Sequence, residues 1–188
     1  MSLTYTPELE TSSPCPNFSL TSVDDQNYSL KDFQKNKVLV FLFICNHCPY
    51  VKAIEDRIIQ LAHEMIDQSV QFIGVCSNDP TDYQEDSKEN LHKRWLEKEY
   101  GFPYLFDEEQ SLAKSMGAVC TPDIFVYNLQ NKKEGELAYR GRLDDSWKDE
   151  SKVTRQELKE AISFILEDNT NPKESLPSMG CSIKWKNL

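Results

Sequence analysis

Two cysteines with two residues between them, Cys45-Asn46-His47-Cys48, close the most apolar run in the chain, Val38-Leu39-Val40-Phe41-Leu42-Phe43-Ile44, and open an amphipathic helical stretch. Wound into a first helical turn, this spacing brings both sulfurs close enough to form and break a disulfide. The free N–H groups at a helix start, together with the aligned peptide dipoles, favour a thiolate there. The expected chemistry is therefore thiol–disulfide exchange, with the exposed first sulfur, Cys45, attacking near neutral pH. The alternative, two cysteines that merely fill a strand-to-helix junction, leaves the bridging distance between them unused.

The chain holds six cysteines in 188 residues, at positions 15, 45, 48, 76, 120 and 181, too sparse for a disulfide scaffold and best suited to a reducing compartment. An even count also permits three structural bridges in an exported protein. Cys76 ends an apolar strand as a small buried hydrophobe, and Cys15, between Pro14 and Pro16, reads as incidental. The length suits one domain, residues 1–188, that buries its own core. A formal charge of -10, without basic runs, argues against nucleic-acid and anionic-membrane partners. No basic segment followed by an apolar one opens the chain, and no apolar run reaches membrane-spanning length, so a soluble cytoplasmic protein is expected.

The elements that must position the dithiol alternate along the chain, which predicts an α/β fold with a central mixed sheet flanked by helices. Two short alternating runs, 17–20 and 26–30, flank the turn Ser22-Val23-Asp24-Asp25 and predict an N-terminal β-hairpin. The apolar run 38–44 is a buried strand. Val51, Ile54, Ile58, Leu61, Ala62, Met65 and Ile66 then recur at helical spacing, with Pro49 tolerated in the first turn. A second buried strand over 70–76 completes a βαβ unit. A charged helix is expected from about 83 to 100, with Leu91, Trp95 and Leu96 as its apolar contacts and Gly101 as its stop. A short edge strand at 102–106, a short helix over 110–116 ended by Gly117, and the strands 124–127 and 137–141 follow. Thr154-Arg155-Gln156-Glu157 reads as a capping box opening a last helix whose apolar side is Leu158, Ala161, Ile162, Ile165 and Leu166.

Cys120-Thr121-Pro122-Asp123 stands just before a strand, downstream of the dithiol-bearing βαβ unit. In this order the pieces resemble the thioredoxin superfamily, in which a Thr-Pro at this place forms a cis-proline loop beside the dithiol. More narrowly they resemble its peroxiredoxin-like branch, grouped with alkyl hydroperoxide reductase and thiol-specific antioxidant proteins (AhpC/TSA). The resemblance covers roughly residues 14–168 and rests on Phe18-Ser19-Leu20, the stretch from Cys45 to Val51, Gly117 to Asp123, and Tyr139-Arg140-Gly141-Arg142-Leu143-Asp144-Asp145. Within the tail, 170–188, Met179-Gly180-Cys181-Ser182-Ile183-Lys184-Trp185 is similar to the tail of that branch.

The departures separate two chemistries. In a peroxiredoxin the peroxidatic cysteine, here aligned with Cys48, is preceded three residues earlier by a Thr or Ser whose hydroxyl orients the peroxide, with a Pro four residues before that. This chain has Cys45 and Phe41 at those places, so it lacks that hydroxyl and carries a dithiol instead. The leading expectation is a thiol–disulfide oxidoreductase with Cys45 as nucleophile and Cys48 resolving, acting on a protein or small-molecule disulfide with a thiol reductant system and no bound cofactor. A peroxiredoxin-like peroxidase acting on hydroperoxides is the first alternative. Copper or zinc binding by Cys45 and Cys48 with Cys120 or His47, or a non-catalytic binding module, is the other. Cys120 and Cys181 are candidates for additional redox thiols, and each also reads as an incidental cysteine. His47, Thr121, Pro122 and Arg142 are expected to shape the site, His47 by stabilising the Cys45 thiolate. Arg140, Asp144, Asp145 and Trp147 form either a substrate groove with Arg142 or a surface ion-pair network; His63 and His92 read as surface residues.

Overall fold

The computed structural model describes residues 3–7, 13–131, 134–172 and 174–186. In chain order its strands and α-helices are β1 (Leu3–Tyr5), β2 (Ser19–Thr21), β3 (Asn27–Ser29), β4 (Val38–Phe43), α1 (Pro49–Met65), β5 (Val70–Cys76) and α2 (Lys88–Glu97). They continue with β6 (Tyr104–Phe106), α3 (Ser111–Met116), β7 (Cys120–Thr121), β8 (Asp123–Asn128), β9 (Glu136–Gly141), α4 (Glu157–Asp168) and β10 (Met179–Ser182). The central sheet runs β6-β5-β4-β8-β9. β4, β5 and β6 are parallel, while β8 and β9 run antiparallel, so the sheet is mixed, as the alternation of elements predicts. The β2–β3 hairpin also forms, with Leu20 opposite Tyr28.

β4 has no polar side because it is covered on both faces. Val38, Val40 and Leu42 face the layer that holds α1 and α4, whereas Leu39, Phe41 and Phe43 face the layer built from α3 and Phe33. α1 buries Val51, Ile54, Ile58, Leu61, Ala62 and Met65 as its spacing predicts, but Ile66 lies one residue past the helix end and is 61% exposed. Gly117 ends α3 at φ 67°, a left-handed position that a glycine occupies without the steric cost a Cβ brings.

Three local expectations differ from the structure. The charged helix is shorter than 83–100: Ser87 caps α2, its hydroxyl accepting from the Asn90 N–H, and a separate 3-10 turn, Gln84–Asp86, precedes it. Leu96 is solvent-exposed, while Leu91 and Trp95 do pack inward. The capping box at 154–157 does not form. The Asp145 carboxylate takes both the N–H and the hydroxyl of Thr154, Glu157 pairs with Arg142, and α4 starts behind Gln156 instead.

The tail returns to the body as a strand. β10 lies between β1 and β7 in a second, three-stranded antiparallel sheet, with Cys181 opposite both Leu3 and Thr121. Ile183 is buried, and the Lys184 carbonyl accepts from the Asp79 N–H and the Gln110 side chain, which fastens the tail beyond β10. Among the described residues no helix is long and apolar enough to cross a membrane.

Candidate active site

The strand-to-helix turn after β4 carries the dithiol, but not within the first helical turn. Pro49 is the first residue of α1, and the residue before a proline is driven out of the helical region; Cys48 accordingly sits at the N-cap with φ -73° and ψ 120°. Cys45, Asn46 and His47 precede the helix. The N–H groups of Asn46 and His47 are held by one carboxylate oxygen of Asp86, at 2.8 and 3.1 Å, which fixes the loop in a non-helical course.

Asp86 is the site residue that the sequence did not disclose. It is fully buried and its other oxygen accepts from His47 Nδ1 at 2.5 Å and from the Asn78 side chain at 2.8 Å. Burial alone would raise its pKa, yet the hydrogen bonds from His47 and Asn78 outweigh burial and hold it below the usual carboxylate range. Asp86 fixes the tautomer of His47, whose ring also stacks on Tyr83 with centroids 4.1 Å apart. The Asn46 side chain donates to the carbonyls of Glu85 and Asn90 and ties the dithiol loop to the start of α2. In sequence Asp86 is one acid among many in a charged stretch; only the Ser87 cap, which places it outside the helix, sets it apart.

The two sulfurs differ. Cys45 lies 3.3 Å from the Thr121 hydroxyl and 3.6 Å from His47 Nδ1, and it is 2% exposed rather than open to solvent. Burial, the adjoining Cys48 and the nearby Asp86 carboxylate push its thiol well above the ordinary range. Cys48 is fully buried, with its thiol 3.0 Å from the Thr121 carbonyl. The Cys45 thiol beside it, against the cost of burial, lowers the Cys48 pKa to about 5, helped by the Val51 N–H and by the thiol and N–H of Cys181. The Val51 N–H lies against the sulfur without closing a full capping hydrogen bond. The surroundings of the two sulfurs thus differ in direction, lowering the pKa at Cys48 and raising it at Cys45, while the Cys48 thiol also donates to the Thr121 carbonyl.

Thr121-Pro122 is a cis peptide, and Thr121 meets both sulfurs, one through its hydroxyl and one through its carbonyl. Cys181 is brought against Cys48 by β10, whereas Cys120 turns its thiol to the Pro122 carbonyl at 3.5 Å, and burial raises its pKa. Arg142 holds Glu157 at 2.5 Å on the rim of a cleft of about 150 Å³, which Tyr5, Tyr50, Pro122, Trp147 and Met179 also line. Tyr50 and Trp147 pack with centroids 4.6 Å apart. Arg140 is buried elsewhere, against Asp123 at 2.7 Å and over the Phe125 ring. Asp144 pairs with Arg57 and Asp145 with Thr154, so the cluster divides between ion pairs and the cleft wall. His63 and His92 are not part of the site; His63 packs on Gly101 and His92 on Trp95.

Cys45, His47 and Asp86 are the one group of potential metal ligands that converges among the described residues, within 4.8 Å of one another. The arrangement does not fit a metal centre as it stands. A tetrahedral ion about 2.0–2.1 Å from a nitrogen and an oxygen would hold those two atoms roughly 3.3 Å apart. His47 Nδ1 and Asp86 are at direct hydrogen-bond distance, and Asp86 already accepts four N–H bonds.

A mixed sheet with a dithiol at the start of α1 and a cis-proline strand facing it defines a thioredoxin-like fold. The family profile described as AhpC/TSA family matches residues 11–139, and the chain belongs to that family. It is similar over its whole length to an uncharacterized conserved protein from Geobacillus kaustophilus, with 37% identity, 98% of that chain covered and a TM-score of 0.92. A hypothetical protein from Sinorhizobium meliloti 1021 is 30% identical over 97% of this chain and 98% of its own, with a TM-score of 0.90. More distantly, the thioredoxin domain of a thiol-disulfide oxidoreductase from Bacteroides vulgatus shares the fold at 15% identity and a TM-score of 0.62, over 85% of this chain and 100% of that one. No curated protein matches the chain.

Proposed function

We propose that this protein is a thiol–disulfide oxidoreductase in which Cys48 attacks and Cys45 closes the disulfide. The observation that carries this reading is the convergence of donors on the Cys48 sulfur: the Cys45 thiol, the Val51 N–H, and the thiol and N–H of Cys181. The roles are the reverse of those the spacing suggests, because Pro49 puts Cys48 at the helix start while Asp86 disfavours a Cys45 thiolate. The Cys48 thiolate attacks one sulfur of a substrate disulfide, joins to it and expels the other half as thiolate. Cys45 then attacks the Cys48 sulfur, its proton passes to the departing substrate thiolate, and a Cys45–Cys48 bridge remains. A thiol reductant returns the pair to the reduced state. A reducing compartment such as the cytoplasm suits that cycle.

Family membership favours a second reading, in which a hydroperoxide oxygen takes the place of the substrate sulfur. Cys48 would then pass through a sulfenic acid, and Cys45 would condense with it and release water. Trapping separates the two. The reduced Cys45→Ser variant, mixed with a small aromatic disulfide or with hydrogen peroxide and quenched with an alkylating agent, should hold its adduct on Cys48. A faster second-order reaction with the disulfide supports the first reading and a faster one with peroxide the second. An adduct on Cys45 in Cys48→Ser, formed at the wild-type rate, would overturn both role assignments.

A further inference from the structure

β10 lies on the strand that carries the cis-proline, and its fit there is specific. Gly180 approaches so closely that a Cβ at this position would meet the Thr121 carbonyl oxygen at 2.0 Å. The next residue, Cys181, is directly opposite Thr121 in the β10–β7 register. The Cys48 sulfur points at the carbonyl of that same Thr121, 3.0 Å away. Register and side-chain geometry therefore bring Cys181 and Cys48 to one point, where the two sulfurs are within hydrogen-bonding reach. Cys181 is 1% exposed and belongs to the apolar cluster that also contains Cys45 and Cys48. Cys48 thus stands between two thiols: Cys45 approaches from its own loop, and Cys181 from a strand that closes over the site.

We infer that Cys181 is a third redox thiol that forms a disulfide with Cys48 in competition with Cys45, and that this bridge ties β10 across the site. The inference rests on the reading of Cys48 as the attacking thiolate. With a small disulfide as oxidant, Cys48 attacks one sulfur and releases the first half as thiolate. Cys181 then attacks the Cys48 sulfur of the mixed disulfide, the second half leaves as thiolate and the Cys181 proton goes to it. Two protein thiols are oxidised to one bridge and the small disulfide is reduced to two thiols. Bridging requires the sulfurs to close from hydrogen-bonding reach to about 2.05 Å, with Cys181 held opposite Thr121 by strand register and Cys48 held at the start of α1. An oxidised strap would hold the cleft closed until a reductant opened it, whereas a Cys45–Cys48 bridge leaves β10 held by non-covalent contacts alone.

The test uses 5,5′-dithiobis(2-nitrobenzoate), whose released thiolate is coloured, and the reduced full-length Cys45→Ser variant. The first equivalent reports attack by Cys48 and the second reports closure by another thiol. The expected result is full release of the second equivalent, with a Cys48–Cys181 linked peptide on mass mapping. Addition of Cys181→Ser should leave the mixed disulfide on Cys48 and slow the second release at least 100-fold. Addition of Gly180→Ala, which alters no sulfur, should slow closure at least tenfold by moving β10 off β7. A stable adduct on Cys48 with Cys181 still alkylatable would overturn the inference and leave the proposed function standing. No adduct on Cys48 would overturn both. Wild-type protein carries the test without a variant: the Cys48–Cys181 peptide among its oxidation products supports the inference, and its absence through complete oxidation overturns it.

Discussion

The two larger sheets among the described residues are held by different physics. The five-stranded sheet is an apolar sandwich: β4 is fully buried in all six residues and packs against helices on one face and aromatic rings on the other. The three-stranded sheet is short, with two to four residues in each strand, and is closed by hydrogen bonds, such as those linking Thr6 to Ser178 and Ser178 to Pro122. Leu3 and Tyr5 of β1 stay 49% and 61% exposed. Burial of large apolar side chains gives the first sheet global stability; the second gains little area and owes its position to register. Local opening is drawn from segments with few apolar contacts, so the cover over the dithiol is expected to open without the body unfolding.

The largest expected effect lies in the body. Phe41→Ala should cost about 3–5 kcal/mol of global stability, read as a lower denaturant midpoint, because Phe18 and Tyr127 both lose their ring partner. Asp86→Asn should cost less, about 1–3 kcal/mol, by leaving part of a buried hydrogen-bond set unmet. It should also lower the Cys45 pKa, observable as thiolate absorbance at lower pH, since the Asp86 charge contributes to raising it. Gly180→Ala strikes the cover alone. A loss of about 1.4 kcal/mol in closing free energy would speed Cys48 alkylation tenfold while shifting the global midpoint less than Phe41→Ala does. A midpoint shift as large as that of Phe41→Ala would show that the two sheets unfold as one unit.

pH sharpens the contrast between the sulfurs. The Cys45 thiol and the donors around it lower the Cys48 pKa to about 5, so alkylation of Cys48 in the closed wild-type protein is expected to fall only toward that value. The ordinary thiol value is about 8.5, and a midpoint there would contradict the donor arrangement. A depressed pKa contributes stability that is complete above the unfolded value and is lost as pH falls toward about 5. The raised Cys45 pKa acts in the opposite direction: its neutral form stabilises the fold below the unfolded value, and the contribution fades as alkalinity deprotonates the unfolded chain. The smallest effect is expected from Arg142→Ala, under about 1 kcal/mol because the Arg142–Glu157 pair is partly solvated, with any change confined to substrate binding at the cleft.

The body was legible because burial writes itself as periodicity. The apolar run of β4, the helical spacing of α1 and the glycine after α3 each report a local rule that tertiary structure does not override. The dithiol was legible as a motif, but the surroundings of its two sulfurs were not. Pro49 was read as tolerable in a first turn; its effect on the preceding residue is what moves Cys48 to the N-cap and leaves Cys45 before the helix. Asp86 was hidden because its dithiol-loop partners lie 39 and 40 residues earlier, and nothing in a charged stretch distinguishes a buried acid from a solvated one. The Thr154 capping box failed for the same reason: a distant carboxylate, Asp145, outcompeted the local cap. β1 gave no signal at all, since three half-exposed residues become a strand only when β10 offers its edge.

The pairing of β1 with β10 also gives the molecule a mechanical character. Leu3 is opposite Cys181 and Tyr5 opposite Met179, so tension applied between Leu3 and Ser182 would load this antiparallel pair from its open end. Hydrogen bonds arranged that way part in succession, like a zip, instead of resisting together in shear. Such a pull would part β1 from β10 and leave β10 on β7, while the central sheet still carried almost none of the load.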